Sequence, residues 1–344
     1  GAKHVMYKIC STFDSTDDGN IGPVTEAFRA DAQAGTVIVT PAFPETGRSV
    51  YLGHLFVNGE LLSESPLKDH PLNPMCDSNL VRVLARQSKQ PVGLLDLATI
   101  AKGADAVNAA LADMSAKGLG AGIADAVFES DLEILGRAAL QSPVSTGASG
   151  LGLGLARALA TSRAKHDAKL DPVGGLCAIV AGSCSKATLE QLAIAERSMP
   201  VLRLDTDALM QGDTEILRAL DWTGERVVRG PIAIAASAAP DAVARVQEKY
   251  GRDAAGHAIE RATSRISAEL VARGVKRLVV AGGETSGAAV DRLQIPAFLV
   301  GPEIAPGVPV LRTVGGPHGA MQLALKSGNF GGPDFFTRAL AMMR

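Results

Sequence analysis

The chain alternates short apolar runs with longer segments in which apolar residues recur at helical spacing. The short runs are rich in Val, Ile, Leu and Ala, as expected of buried strands, and they occupy residues 36–40, 92–97, 122–126, 176–181, 201–204, 232–236 and 278–281. The helical segments occupy residues 23–34, 79–87, 104–117, 130–139, 206–220, 241–250, 254–273 and 334–343. Regular alternation of strand and helix predicts an α/β protein whose parallel sheets are covered by helices.

A change of composition near the middle of the chain predicts two domains. Residues 156–171 become charged and polar, and Pro172 and Gly174–Gly175 follow them, as in an interdomain linker. We therefore predict domains at residues 1–165 and 172–344. Each is expected to be a largely parallel sheet flanked by helices, with the active site in the cleft between them. Residues 4–9 read as a strand without a preceding β–α unit, so we expect the first domain to lack its N-terminal part.

Three further segments are predicted from local rules alone. Residues 51–57 are predicted to form one strand that leads into a hairpin turn at Asn58–Gly59. Residues 145–154 are small and predict a loop, and the prolines within residues 301–309 predict a rigid loop.

Composition narrows the class of protein. Of the 344 residues, 47% are hydrophobic and 20% are charged, which is sufficient for a sizeable core. The net charge is −2 and no basic tract is present, so we expect no nucleic-acid partner. We find no apolar run of membrane-spanning length and no signal-peptide pattern, so we expect no membrane partner. Four dispersed cysteines without metal-ligand spacing predict reduced thiols in a cytoplasmic protein and no metal site.

Glycine-rich stretches are the main candidates for a ligand site in the second domain. Residues 281–287 directly follow the apolar run at residues 278–280, which is predicted to be a strand, and residues 325–332 combine Lys326 with three glycines. A strand, glycine turn and helix present free N–H groups and the positive end of a helix dipole, which suits a phosphate group. Neither stretch is a Walker A or G-x-G-x-x-G sequence, and glycines that only make tight turns are the alternative for each. Ser183 and Ser185 are consistent with phosphate or ribose contact and equally with a plain helix N-cap.

Polar side chains crowd the ends of predicted strands in the first domain. Residues 11–16 carry hydroxyl and carboxyl groups that are costly to bury, so they either line a polar ligand site or form a hydrated loop. Arg48 could grip a carboxylate in a bidentate fork, with a surface ion pair as the alternative. His54 could orient a substrate or transfer a proton, although a lone histidine is more often structural. His70 is a further polar candidate in a proline-rich loop.

The order of several short motifs is more specific than any one of them. In the first half the motifs are Lys8-x-x-Ser11-Thr12-Phe13-Asp14-Ser15-Thr16, Gly19-Asn20-Ile21-Gly22, Pro41-x-Phe43-Pro44-x-x-Gly47-Arg48, Gly53-His54-Leu55-Phe56-Val57 and Leu62-Ser63-Glu64-Ser65. In the second half they are Gly182-Ser183-x-Ser185, Gly282-Gly283-Glu284-Thr285-Ser286-Gly287, Gly301-Pro302-Glu303 and Lys326-Ser327-Gly328-Asn329-Phe330-Gly331. Over essentially the whole chain this combination resembles the four-carbon acid sugar kinases, and it is most similar to the branch that acts on 3-oxo-tetronate.

The resemblance implies an ATP- and Mg²⁺-dependent kinase that phosphorylates the 4-hydroxyl group of a four-carbon sugar acid, with a homodimer as a plausible assembly. The substrate-binding residues that it implies are Lys8, Ser11, Thr12, Asp14, Arg48 and His54. The nucleotide-binding residues that it implies are Ser183, Ser185, Gly282, Gly283, Glu284, Thr285, Gly328, Asn329 and Gly331. Asp14 and Lys326 are the implied catalytic residues.

One departure from the family leaves alternatives open. Members normally begin with a strand that leads into an Asp-Asp-x-Thr-Gly motif, which nothing here matches, so the catalytic base could lie in a segment outside this sequence. A threonate or erythronate kinase of the same family is one alternative. A sugar-acid-binding regulator without catalysis is another. A dinucleotide-dependent oxidoreductase is disfavoured because the G-x-G-x-x-G fingerprint is absent.

Overall fold

The first half of the chain is built around a five-stranded parallel sheet, whose strands lie in the order Val5–Lys8, Val144–Gly147, Val37–Thr40, Ala121–Ala124 and Val92–Leu95. The computed structural model describes residues 1–69, 73–160, 169–238 and 240–344. The chain divides into two compact units, Gly1–Ala164 and Lys165–Arg344. His70 and half of the predicted boundary region, residues 161–168, lie outside the described residues, so the domain limits remain a prediction.

The first unit contains the following elements. Its strands are β1 (Val5–Lys8), β2 (Val37–Thr40), β3 (Arg48–Tyr51), β4 (His54–Val57), β5 (Glu60–Leu61), β6 (Val92–Leu95), β7 (Ala121–Ala124) and β8 (Val144–Gly147). Its helices are α1 (Ile21–Asp31), α2 (Leu80–Gln87), α3 (Leu97–Ile100), α4 (Ala104–Ala116), α5 (Glu129–Ala139) and α6 (Ser149–Leu159). Strands β3, β4 and β5 form a separate antiparallel sheet.

The prediction of one strand over residues 51–57 is wrong. The chain turns at Leu52 and Gly53, whose φ values are +48° and +72°, so that β3 and β4 pair as a hairpin. Both turn N–H groups donate to the buried Asp125 carboxylate at 2.9 Å. The Asp125 carboxylate, at the end of a distant strand, therefore stabilises a turn for which the sequence contains no characteristic turn dipeptide. The predicted turn at Asn58–Gly59 is confirmed, with φ values of +54° and +88° between β4 and β5.

The prediction of a loop over residues 145–154 is also wrong. This segment contains most of β8, which pairs with both β1 and β2, and the first half of α6. Its small residues serve close packing. A Cβ atom at Gly154 would lie 2.1 Å from the Leu132 carbonyl oxygen on α5, and one at Gly136 would lie 2.2 Å from the Gly154 carbonyl carbon. The two helix backbones approach each other where only glycine fits.

The second unit is organised by a seven-stranded mixed sheet. Its strands are β9 (Leu176–Ala181), β10 (Val201–Arg203), β11 (Ile232–Ala235), β12 (Val275–Ala281), β13 (Ala297–Ala305), β14 (Val308–Val314) and β15 (Gln322–Lys326). Its helices are α7 (Lys186–Ala195), α8 (Thr206–Met210), α9 (Thr214–Val227), α10 (Pro240–Tyr250), α11 (Arg252–Ala272), α12 (Gly283–Arg292) and α13 (Phe335–Met342). The order is β10-β11-β9-β12-β15-β14-β13, and β14 alone runs antiparallel to its two neighbours, β15 and β13.

Successive residues of the central strands pack on opposite faces of this sheet. Ala178 and Val180 of β9 belong to one buried apolar cluster, and Ile179 and Ala181 belong to the other. Strand β12 is divided in the same way. Burial on both faces explains why these strands read as continuous apolar runs in the sequence, and it confirms the predicted α/β class.

Two element predictions in this unit need correction. The predicted proline loop at residues 301–309 is the end of β13 and the start of β14. Pro302 is tolerated because β13 lies at the sheet edge and its register shifts between Val300 and Glu303. The predicted helix over residues 206–220 is interrupted between α8 and α9, where Gly212 has a φ value of +133°.

Among the helices of the described ranges, none is both long enough and apolar enough to cross a membrane.

We expect Gly154→Ala to destabilise the first unit by about 1–3 kcal/mol, because the added methyl group overpacks a backbone-to-backbone contact. Gly152→Ala is the matched control in the same helix, since its Cβ atom would meet only Met6 Cε at 3.4 Å. Alanine is the better helix former, so the control should be neutral or slightly stabilising. Denaturant unfolding measures both variants, and equal stability of the two would contradict the close contact.

Candidate functional site

Three loops of the second unit follow neighbouring strands and meet at one edge of the sheet. Strands β9, β12 and β15 are adjacent, and Ala281 is in register with both Ala181 and Lys326. The loops begin directly after these positions. Ligands of α/β proteins bind at this carboxyl edge of the strands, so the topology brings together the three candidate stretches of the second domain.

Glycine is required for these loops to contact each other. A Cβ atom at Gly182 would lie 2.2 Å from Thr285 Oγ1, and one at Gly328 would lie 2.1 Å from Ser183 Oγ. Gly282 combines a φ of +128° with a Cβ position 2.8 Å from Thr285 Oγ1. Glycines at these positions therefore do more than make turns, because they pack the loops side by side.

Ser185 has two structural roles at the start of α7. Its Oγ accepts a hydrogen bond from the Thr188 N–H group at 3.2 Å, as expected of an N-cap residue. The same hydroxyl donates to the Gly328 carbonyl oxygen at 2.7 Å. Ser183 Oγ lies 3.2 Å from Ser185 Oγ. The hydroxyl groups thus connect the first loop to the third.

Most carbonyl groups of residues 327–332 accept hydrogen bonds from buried side chains on α7 or from Lys326. Lys326 Nζ donates to the carbonyl oxygens of Ser327 and Gly328 at 3.2 and 2.8 Å. Gln191 Nε2 lies 3.0–3.1 Å from three further carbonyl oxygens, which belong to Phe330, Gly331 and Gly332.

The N–H groups of the same loop consequently point away from α7. In a trans peptide the C=O group and the following N–H group point in opposite directions, and no cis bond occurs in the described ranges. The N–H groups that face outward belong to Gly328, Asn329, Gly331 and Gly332. Within the part of the chain that the structure describes, none of these donates a hydrogen bond. Free N–H groups of a glycine-rich loop can bind an anion as a nest, and residues 327–332 are called the nest below.

Lys326 lies beneath this nest rather than on its surface. Its side chain is 1% exposed, and its third acceptor is Thr188 Oγ1 at 3.0 Å. An ammonium group has three donors, so Thr188 and the two loop carbonyls use them all. Burial lowers the pKa of Lys326 to about 7. The predicted effect of Lys326 on phosphate would therefore act through its charge and not through direct contact.

The second glycine stretch opens helix α12. Gly282 is the N-cap, Gly283 and Glu284 are exposed in the first turn, and Thr285 is buried against the loop after β9. Asn329 is exposed on the third loop. The first turn of α12 thus adds helix N–H groups to the same edge of the sheet.

In the first unit, the predicted polar loop follows β1 and contains two left-handed residues. Phe13 has a φ of +63° and Asp14 a φ of +47°. A left-handed phenylalanine costs roughly 1–2 kcal/mol, and burial of its ring, which is 1% exposed, offsets this strain. Thr12 is buried, whereas Asp14 is exposed and accepts a hydrogen bond from Asn73 Nδ2 at 3.1 Å. The conformation separates the buried ring from the exposed carboxylate.

Gln87 braces this loop and was not identified from the sequence. Its Nε2 donates to Ser15 Oγ at 2.9 Å and to the Thr16 carbonyl, and its Oε1 accepts from Gly22 N–H at 3.2 Å. A Cβ atom at Gly19 would lie 1.8 Å from Ser15 Oγ. The sequence does indicate that Gln87 is buried, because it continues the apolar stripe of α2 formed by Leu80, Val83 and Leu84.

The remaining candidates of the first unit are Lys8, Ser11, Arg48 and His54. Lys8 is the exposed last residue of β1, and Ser11 is half-buried. Arg48 is 5% exposed, its guanidinium donates to the Thr46 carbonyl, and burial lowers its pKa while the nearby Cys10 thiol opposes that shift. His54 has both ring nitrogens engaged, Nδ1 with the Leu52 carbonyl at 2.9 Å and Nε2 with Asn79 Nδ2 at 3.3 Å. The contacts of His54 therefore hold the hairpin against the start of α2.

Within the described residues, no group of three or more His, Cys, Asp or Glu side chains is arranged to hold a metal ion.

Comparison with known proteins assigns a family to this fold and site. Residues 1–155 match the profile of a sugar-binding N-terminal domain, and residues 178–336 match that of a nucleotide-binding C-terminal domain. The chain belongs to the four-carbon acid sugar kinase family. Its second unit, with the loop nest, carries the nucleotide-binding domain.

Individual relatives cover the whole chain. A 3-oxo-tetronate kinase from Methylobacterium radiotolerans is 64% identical over 348 residues, which span 100% of this chain and 82% of that protein. A 3-oxo-tetronate kinase from Burkholderia multivorans is 45% identical, covering 99% of this chain and 80% of that protein. A crystal structure from Salmonella typhimurium LT2, described as a candidate tRNA synthase, has a TM-score of 0.83 and 38% identity, covering 100% of this chain and 82% of that one.

We expect the free energy of unfolding to depend on Lys326 between about pH 7 and about pH 10. Because the folded-state pKa of Lys326 is lowered to about 7, the unfolded state binds more protons over this range, and stability should rise with pH. Lys326→Met should reduce that slope, whereas Lys186→Met, an exposed lysine on α7, should leave it unchanged. Denaturant titrations at fixed pH values measure the slopes. Equal slopes for wild type and Lys326→Met would show that Lys326 is not buried as a titrating group.

Proposed function

We propose that this protein is an ATP-dependent kinase that transfers the γ-phosphoryl group to the 4-hydroxyl group of 3-oxo-tetronate. The family assignment and the printed activity of the relatives support this proposal. The structural observation that carries it is the nest in residues 327–332, whose outward N–H groups suit a polyphosphate. A kinase needs such a site, and a protein that only bound a sugar acid would not.

In the second unit, the proposed nucleotide-binding residues belong to the three contacting loops. The free N–H groups of Gly328, Asn329 and Gly331 would hold phosphate oxygens, and the start of α12 from Gly283 to Thr285 would add its helix N-terminus. Ser183 and Ser185 would keep the loops in register, since both hydroxyls contact each other beside Gly328. The charge of Lys326 would add a positive potential beneath the phosphates.

In the first unit, the proposed acid-binding residues are those of the loop after β1 together with Arg48. A planar guanidinium group suits a carboxylate, and the electrostatic interaction of Arg48 with Cys10, the residue before this loop, supports including Arg48. Lys8, Ser11, Thr12 and Asp14 would contact the remaining oxygens of the acid. His54 contributes less directly in this proposal, because its ring nitrogens are already engaged.

The chemistry follows from phosphoryl transfer in general. The 4-hydroxyl oxygen forms a bond to the γ-phosphorus, the bond to the β–γ bridging oxygen breaks, and ADP leaves. Catalysis is mostly positioning and charge neutralisation, and Mg²⁺, when bound, neutralises charge between phosphate oxygens. Mg²⁺ keeps several waters and needs only one or two carboxylates, so exposed Glu284 in the first turn of α12 is a fitting protein ligand. Exposed Asp14 is the candidate acceptor of the hydroxyl proton.

Other predictions from the sequence stay open at this level. A threonate or erythronate kinase would share every feature described, since the acid-binding residues do not define stereochemistry. The homodimer and the cytoplasmic location also remain predictions. A nucleic-acid function, as in the description of the Salmonella structure, is disfavoured by the net charge of −2.

The decisive experiment measures ADP release by the full-length protein with ATP and Mg²⁺. 3-Oxo-tetronate, D-threonate, L-threonate and D-erythronate are offered in parallel. We expect the oxo acid to give the highest kcat/KM. Preference for another acid would keep the kinase and change the substrate, and ATP binding without turnover of any acid would favour the regulator.

We expect Arg48→Lys to raise KM for the acid by about tenfold or more, because lysine cannot form the bidentate contact. KM for ATP should change little. Arg137→Lys, an exposed arginine on α5, is the control. Steady-state kinetics with each substrate varied in turn test this assignment, which an unchanged KM for the acid would rule out.

A further inference from the structure

Gln191 is a buried polar residue of the second unit whose contacts lie in the proposed nucleotide-binding loop. It lies on α7, its side chain is 1% exposed, and no step of the proposed reaction uses it. Its Nε2 is within 3.1 Å of three consecutive carbonyl oxygens, those of Phe330, Gly331 and Gly332. An amide nitrogen has two hydrogens, so at least one of them is shared between two acceptors.

The amide oxygen of Gln191, Oε1, is buried and within the described residues has no hydrogen-bond partner, which indicates that the amide nitrogen is the functional part of the side chain. The opposite amide orientation would place Oε1 against three carbonyl oxygens, which would repel it. An unsatisfied buried acceptor costs free energy. The hydrogen bonds of Nε2 must therefore offset this cost, and Nε2 makes them with the three loop carbonyl groups.

The same face of α7 supplies the other contacts to the loop. Ser185, Thr188 and Gln191 recur at a spacing of three residues, which places them along one side of the helix start and its continuation. Ser185 and Thr188 donate to the Gly328 carbonyl at 2.7 and 3.0 Å. Lys326 and these hydroxyls thus hold the first half of the loop, and Gln191 holds the second half.

We propose that Gln191 is a positioning residue for the nucleotide, which directs the N–H groups of Gly331 and Gly332 toward the phosphates by holding the carbonyl groups of residues 330–332. The proposal rests on the proposed function. Because the peptide units are trans, fixing the carbonyls of Phe330 and Gly331 fixes the next two N–H groups. Without the amide donor these peptides can rotate and bring carbonyl oxygens toward the phosphates, which would repel them.

The test compares two variants at Gln191 with a matched control. Gln191→Met keeps the volume of the side chain and removes the donor. Gln191→Glu keeps the shape and replaces the donor by an oxygen. Gln211→Glu makes the same change at an exposed position between α8 and α9. Calorimetric titration with ADP gives the affinity, and steady-state kinetics give KM for ATP and for the acid.

We expect both Gln191 variants to bind ADP about tenfold more weakly, as for loss of a buried hydrogen-bond donor. KM for ATP should rise in proportion, while KM for the acid and all constants of Gln211→Glu should stay within about twofold. As pH falls from about 8 to about 5.5, the carboxyl of Gln191→Glu becomes protonated and can donate one hydrogen bond. Its affinity relative to wild type should then partly recover, whereas that of Gln191→Met should not. The ADP affinity of each variant is compared with that of wild type at the same pH, because Lys326 titrates in this range in the wild type as well.

Several outcomes would overturn the positioning role. Wild-type ADP affinity in Gln191→Met would do so even if Gln191→Glu failed to fold. An equal rise of both KM values, with no pH-dependent recovery in Gln191→Glu, would indicate a general packing role instead. If wild type binds ADP and phosphorylates no acid, the proposed reaction fails while the ADP comparison still tests Gln191. Absence of ADP binding in wild type would overturn both.

Discussion

The direction of the peptide groups in residues 327–332 is the constraint on which the nucleotide-binding domain depends. Backbone carbonyls and N–H groups are obligatory partners of opposite polarity. Turning the carbonyls toward Lys326, Thr188 and Gln191 leaves the N–H groups for an anion. The glycines permit the close approach, but the buried donors decide which way each peptide faces. In the proposed site, donors that need not contact the phosphate thus orient the N–H groups that would hold it.

In each unit, a buried glutamine on a helix holds a polar loop in place. In the first unit, Gln87 at the end of α2 holds the backbone and hydroxyl groups of the loop after β1. In the second, Gln191 holds the carbonyls of the loop after β15. Each glutamine is buried on a helix and stabilises a polar loop that follows a parallel strand. A buried amide suits this role because it carries no charge and its contacts are directional.

Much of the fold follows from local patterns. The central strands β9 and β12 read correctly because burial on both faces makes them continuously apolar, and the motif order was sufficient to suggest the family. Local rules failed where a distant partner decided the conformation. Asp125 imposes the turn at Leu52 and Gly53, close helix packing selects the small residues of α6, and an edge position allows Pro302 within β13.

The sequence by itself determined the α/β class, the order of motifs and the glycine stretches, because each is encoded in contiguous residues. Only the tertiary structure decided what these residues do. It showed that Lys326 lies beneath the nest, that His54 supports the hairpin, and that Gly19 packs against Ser15. Gln87 contacts Ser15 across 72 positions, and Gln191 contacts Phe330 across 139. Contacts over such separations depend on which strands become neighbours, and no local pattern specifies that.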